Sequence, residues 1–157
     1  MAGCLDHMRF NLEFLNLGER RNIVASIISG TLFFIGWWIL IDASAKYPSK
    51  LQFNHSYHVC GVIGTFALFM VNSISNQQVL GDSYSSGCMG QRGAKAWLFL
   101  GFLLAFAAII SATWILFGAY VIPQKSPQWP GVAVFLQNIA IFASCLVFKF
   151  MRAEDQF

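Results

Sequence analysis

The chain has 157 residues, of which 57% are hydrophobic, 16% aromatic and only 11% charged, and its mean hydropathy is +0.59. A water-soluble domain of this size carries about 25% charged residues to cover its core, so the composition excludes a soluble globular domain, and it excludes disorder for the same reason. The net charge of +3 is scattered, with Arg20-Arg21 the longest basic run, which gives no phosphate-tracking stripe and excludes nucleic acid as a partner.

Crossing a hydrocarbon core of about 30 Å takes about 20 apolar residues in a helix. Four stretches meet that length, at about 22–41, 58–80, 96–122 and 132–150. The second is apolar at its start and increasingly polar after Met70, and the third is the longest. Every backbone group inside lipid must be paired within its own segment, and the alternating ten-residue pattern of a membrane barrel is missing. The expectation is an all-α fold: a polytopic bundle of four transmembrane helices forming one domain over 1–157, with the lipid bilayer as its first partner. The apolar stretch of the first span is too long for a signal-peptide core, so Ala43-Ser44-Ala45 is read as uncleaved.

Arg9, Arg20, Arg21, Arg92, Lys95, Lys149 and Arg152 fall on the side of the termini, against Lys46, Lys50 and Lys125 on the other. Positive charge stays in the cytosol, so both termini are expected there.

Without a hydrophobic drive between helices in lipid, small residues four apart mark close approach. Such pairs are Ser26/Gly30, Gly101/Ala105, Ala107/Ser111, Ala108/Ala112 and Ala140/Ser144. Polar residues inside the spans are functional candidates. Asn138 and Thr113 lie at matching depth, roughly 9 Å from one surface, and are expected to hydrogen-bond as interhelical glue. Asn72 and Asn76, spaced i, i+4, share a helix face and either line a polar cavity or mark where the second span leaves the bilayer.

Chemistry-bearing residues are sparse. His55, His58 and Cys60 cluster at the lumenal edge, but Cys4, His7, Cys88 and Cys145 are expected on or near the other side, so no metal set converges and no disulfide is expected. Asp42 near His55 would make an acid–base pair without a nucleophile, thin support for a lumenal hydrolase. The glycine-rich loop at 81–93 is neither a dinucleotide fingerprint nor a P-loop. It is instead read as a tight interhelical connection or as a docking surface for a cytosolic partner, with Gly81, Asp82, Tyr84 and Arg92 as the candidate docking residues. Asn54-His55-Ser56 is a glycosylation sequon placed too near the second span for ready modification. Neither catalytic residues nor a cofactor are predicted.

Several polar strings at the helix ends carry a resemblance: GERRN at 18–22, FFIGWWILIDA at 33–43, FNHSYHVCG at 53–61, NSISNQQVLGDSY at 72–84, GCMGQRGAKAWLF at 87–99 and WILFGAYV at 114–121. With these, and with PGVAVFLQN and LVFKFMRAED near its end, the chain resembles the transmembrane protein 50 family, which includes fungal vacuolar-protein-sorting membrane proteins. That resemblance implies a four-span protein of the endoplasmic reticulum, Golgi and endosomes, working beside another small integral membrane protein in late-endosome-to-vacuole transport, with no catalytic residues to transfer. The function expected is a non-enzymatic accessory in vesicle trafficking and protein sorting. The alternative is a small transporter or channel using Asn72, Asn76 and Asn138.

Overall fold

The computed structural model describes residues 2–51, 53–81 and 90–152, with side chains from Gly18 onward. The described residues contain helices and no strand. Helix α1 is Ala2–Lys46, followed by a 3-10 turn at His55–Tyr57, α2 at His58–Asn72, α3 at Asn76–Leu80, α4 at Gln91–Ile115 with a π-helical continuation at Leu116–Val121, and α5 at Trp129–Met151.

Among the described residues three helical stretches are long and apolar enough to cross a membrane: Gly18–Lys46, Gln91–Val121 and Trp129–Met151. The fourth expected span, 58–80, is not one helix. Helix α2 has 15 residues, about 22 Å at the helical rise, short of the hydrocarbon thickness. It stops because its polar end turns back on its own backbone. Asn72 Nδ2 donates to Leu68 O at 2.9 Å, and Ser73 Oγ donates to Met70 O at 2.8 Å. Ser75 then goes extended (φ −78°, ψ 153°) and starts α3 with a capping box. Its hydroxyl accepts from Gln78 N while Gln78 Oε1 accepts from Ser75 N, each at 3.2 Å. Gly81, at φ 84°, ends that single turn.

Helix α5 is the hub: α1 packs chiefly against it, and α2 and α4 pack on it and on each other. Its buried stripe runs Val134, Gln137, Asn138, Ile141, Ser144, Cys145 and Lys149, at the three- and four-residue spacing of one helix face. The faces that meet are small. Helix α4 buries Ala94, Gly101, Ala105, Ala108 and Ala112, and α2 buries Gly61, Gly64 and Ala67. A Cβ on Gly101 would stand 2.8 Å from Val71 Cγ2, so α2 and α4 touch backbone to side chain there. Of the predicted pairs, Gly101/Ala105 and Ala108/Ala112 lie in contacts, whereas Ala107 and Ser111 face outward. Large apolar side chains also point outward, Trp38 74% and Trp114 79% exposed. In water such a surface would aggregate; in lipid it is solvated.

One end of the bundle, the Phe53 end, is closed by Leu40, Phe53, Ala112 and Val134, with Trp37, Tyr47, Tyr57 and Ile115 packed around them. The π turn swings Tyr120 into this cap, where its ring lies 6.1 Å from that of Tyr57 and Lys125 Nζ sits 5.2 Å from its centroid. The opposite end, where α2 breaks and α5 finishes, is looser.

Candidate functional site

Polar side chains inside the bundle form a ladder along α5. Gln137, at the level of α2's first turns, is fully buried, and neither its Nε2 nor its Oε1 has a hydrogen-bond partner among the described residues. It fits only because residue 61 is glycine, since a Cβ there would overlap the carboxamide. One residue on, Asn138 Nδ2 donates to Val134 O at 2.9 Å, leaving its Oδ1 unpartnered. Nearly two turns further, Ser144 and Ser29 of α1 clasp each other. Ser144 Oγ donates to Ser29 O at 2.8 Å, and Ser29 Oγ lies 3.0 Å from Ser144 O and 2.9 Å from Ser144 Oγ. At the bottom, buried Lys149 donates from Nζ to Ile74 O, a carbonyl freed by the break after α2. A cation at the C-terminal end of a helix is also favoured by the helix dipole. Chemically two rungs join elements, Ser144 seating α1 on α5 and Lys149 holding the break after α2 to it, while Gln137 and Asn138 keep unpartnered polar atoms.

The predicted residues fare unevenly. Asn138 and Thr113 do not pair: Thr113 Oγ1 donates to Ile109 O at 2.8 Å and Asn138 Nδ2 to Val134 O, so each donor turns back on its own helix. Asn72 and Asn76 share no helix face, because the chain breaks between them; Asn72 instead approaches Cys145 Sγ at 4.0 Å. Gly81 caps α3, and Gln91 Nε2 donates to Val79 O and Leu80 O at 3.3 and 3.0 Å, tying the two ends of the glycine-rich loop together. Arg92 is exposed, while Asp82 and Tyr84 lie outside the described residues. The rings of His55 and His58 stack at 5.9 Å, and Phe53 meets both edge-on. Cys60 is buried and Asp42 exposed; among the described residues no three of His, Cys, Asp and Glu converge. Asn54 Oδ1 accepts from Ser56 N at 3.1 Å and caps the 3-10 turn.

Sequence reasoning passed over Gln137 and, as an interior residue, Lys149. The signal was there: a glutamine beside Asn138, and a lysine one turn after Cys145 in an apolar span. Because both polar atoms of Gln137 are buried without partners, Gln137→Met is expected to stabilise the bundle by about 1 kcal/mol, read as a higher unfolding midpoint in mild detergent.

Helices α1 and α2 diverge toward the Lys149 end. Trp37 Nε1 donates to Thr65 Oγ1 at 3.2 Å and holds them together above. Below, they flank an open cavity of about 460 Å³ lined by Ser29, Gly30 and Phe33 of α1, Leu68 and Asn72 of α2, and Phe148 of α5. A second cavity of about 630 Å³ continues it past Ser26 to Glu19, Asn22 and Arg152. Thus Ser26/Gly30, predicted as a helix contact, lines an opening.

Two curated relatives align over most of the chain. The transmembrane protein 50 homolog of Dictyostelium discoideum is 28% identical, the match covering 83% of this chain and 91% of the relative. The vacuolar protein sorting-associated protein 68 of Saccharomyces cerevisiae is 25% identical, covering 83% and 82%. No solved structure matches. With a family profile matched over residues 4–157, the chain belongs to the uncharacterised protein family UPF0220, a family of which its apolar helices make it an integral membrane member.

Proposed function

We propose that this protein is a non-enzymatic, multi-pass accessory of endosomal and vacuolar protein sorting, acting in endoplasmic reticulum, Golgi or endosomal membranes beside another small integral membrane protein. The observation that carries the reading is that the interior hydrogen bonds of Ser29, Ser144 and Lys149 join helices, while those of Asn72, Thr113 and Asn138 close on their own backbone and buried Gln137 makes none among the described residues. The name of the yeast relative supports the sorting role. In this reading α2, lengthened by its preceding 3-10 turn, makes the fourth crossing, and both termini face the cytosol. The polar face needed by the transporter alternative is broken between Asn72 and Asn76.

The test is deletion of the gene combined with purification of the tagged full chain in mild detergent. Delayed delivery of a vacuolar or lysosomal hydrolase, together with a stoichiometric small membrane protein in the purified material, is the expected result. Normal delivery and recovery of the chain alone would overturn the proposal.

A further inference from the structure

We infer that the wedge between α1 and α2 holds one aminophospholipid, with an acyl chain in its upper part and the phosphate and primary ammonium of the headgroup on Arg152 and Glu19. The wedge narrows upward to the Trp37–Thr65 hydrogen bond, and its upper walls are Phe33, Leu68 and Phe69. That is a slot for an aliphatic chain. A helix of a partner protein, about 10–12 Å across, would have to part α1 from α2.

The dimensions match a lipid leaflet. From Phe33 down to Glu19, α1 advances about 21 Å, and half of a bilayer with its headgroups is about 20–22 Å. The lower cavity brings a carboxylate and a guanidinium to one opening, and among the described residues neither Glu19 nor Arg152 is in an ion pair. Arg152 lies over the Phe148 ring, 5.6 Å from its centroid, which aims it at the same opening. Asn22 and Ser26 beside them add polar contacts for phosphate and ester oxygens.

Charge selects the headgroup. Arg21, whose Nε donates to Met151 O at 2.7 Å, stands beside Arg152 and adds a second cation for the phosphate. The Glu19 carboxylate needs a cationic N–H donor, which a choline or glycerol headgroup cannot give it. A primary ammonium has three donors, and it sits next to a phosphate that Arg152 can hold.

The full chain is reconstituted in nanodiscs of phosphatidylcholine, phosphatidylethanolamine and phosphatidylglycerol in equal parts, released into detergent and weighed by native mass spectrometry. One phosphatidylethanolamine per chain is expected, enriched about five- to tenfold over the other two. Glu19→Gln should remove that preference. Gly30 has open space where a Cβ would be, so Gly30→Phe should fill the wedge and release all three lipids with the unfolding midpoint unchanged. Equal retention of the three lipids, enrichment of phosphatidylglycerol, or full retention by Gly30→Phe would overturn the inference. So would a photo-crosslinker at position 30 that labels a protein instead of lipid, which would give the wedge to a partner helix.

Discussion

Lys149→Met is expected to lower the stability of the bundle by about 1–3 kcal/mol, and Lys149→Glu by about 3–5 kcal/mol. The lysine is buried at the foot of α5, and its ammonium serves the Ile74 carbonyl in the break between α2 and α3. Methionine keeps the stem and its packing but leaves that carbonyl without a donor in a region where water is scarce. Glutamate adds a negative charge facing carbonyl oxygens and the negative end of α2's dipole, so attraction becomes repulsion. Trp97 provides the probe, since its Nε1 donates to Ser73 Oγ at 3.2 Å beside the same break. Urea titration in mild detergent, followed by tryptophan fluorescence, should show both midpoints falling in that order. An unchanged midpoint for Lys149→Met would mean that the cost of burying the ammonium cancels its contact.

Gly101→Leu is expected to separate α2 from α4, and Gly101→Ala to cost about 1–3 kcal/mol as overpacking. Even the single carbon of alanine would stand 2.8 Å from Val71 Cγ2 and 3.2 Å from the Val71 backbone nitrogen. The first conflict can be relieved by trimming the valine; the second requires the helices to move. Val71→Ala in the Gly101→Ala background should therefore recover part of the lost stability and not all of it. Thermal unfolding of the two single variants and the double variant measures this coupling directly. Full additivity of the single effects would show that the two positions do not touch in the membrane.

The sequence showed the helical class and the small-residue faces well, because long apolar runs and glycine–alanine spacing have a direct physical cause in lipid. The four-residue spacing of Gly101 and Ala105 by itself marks a helix contact. The second span was harder. Its hydropathy fades gradually, and a periodicity reading carries the helix through to Leu80. The break was nevertheless encoded: Ser75 followed by Gln78 is the spacing of a capping box, which starts a helix and so requires the previous one to stop. The Asn138–Thr113 pair failed for a different reason. Depth alone cannot say whether a short polar side chain reaches across to a neighbour or back to the carbonyl one turn earlier, and both residues took the nearer partner. Gln137 was overlooked because its environment depends on a glycine far away in sequence, Gly61, which no local pattern connects to it. The docking role assigned to Asp82 and Tyr84 lies beyond the described residues.

The Ser29–Ser144 clasp joins α1 to α5. During synthesis, α1 enters the bilayer long before α5 has left the ribosome, and until then its small-residue face has only lipid or the insertion machinery against it. Assembly of these helices is thus a closing event timed by the arrival of α5. A stop between α4 and α5 would strand α1, α2 and α4 with no centre to gather on, which makes such truncated chains ready targets for membrane quality control.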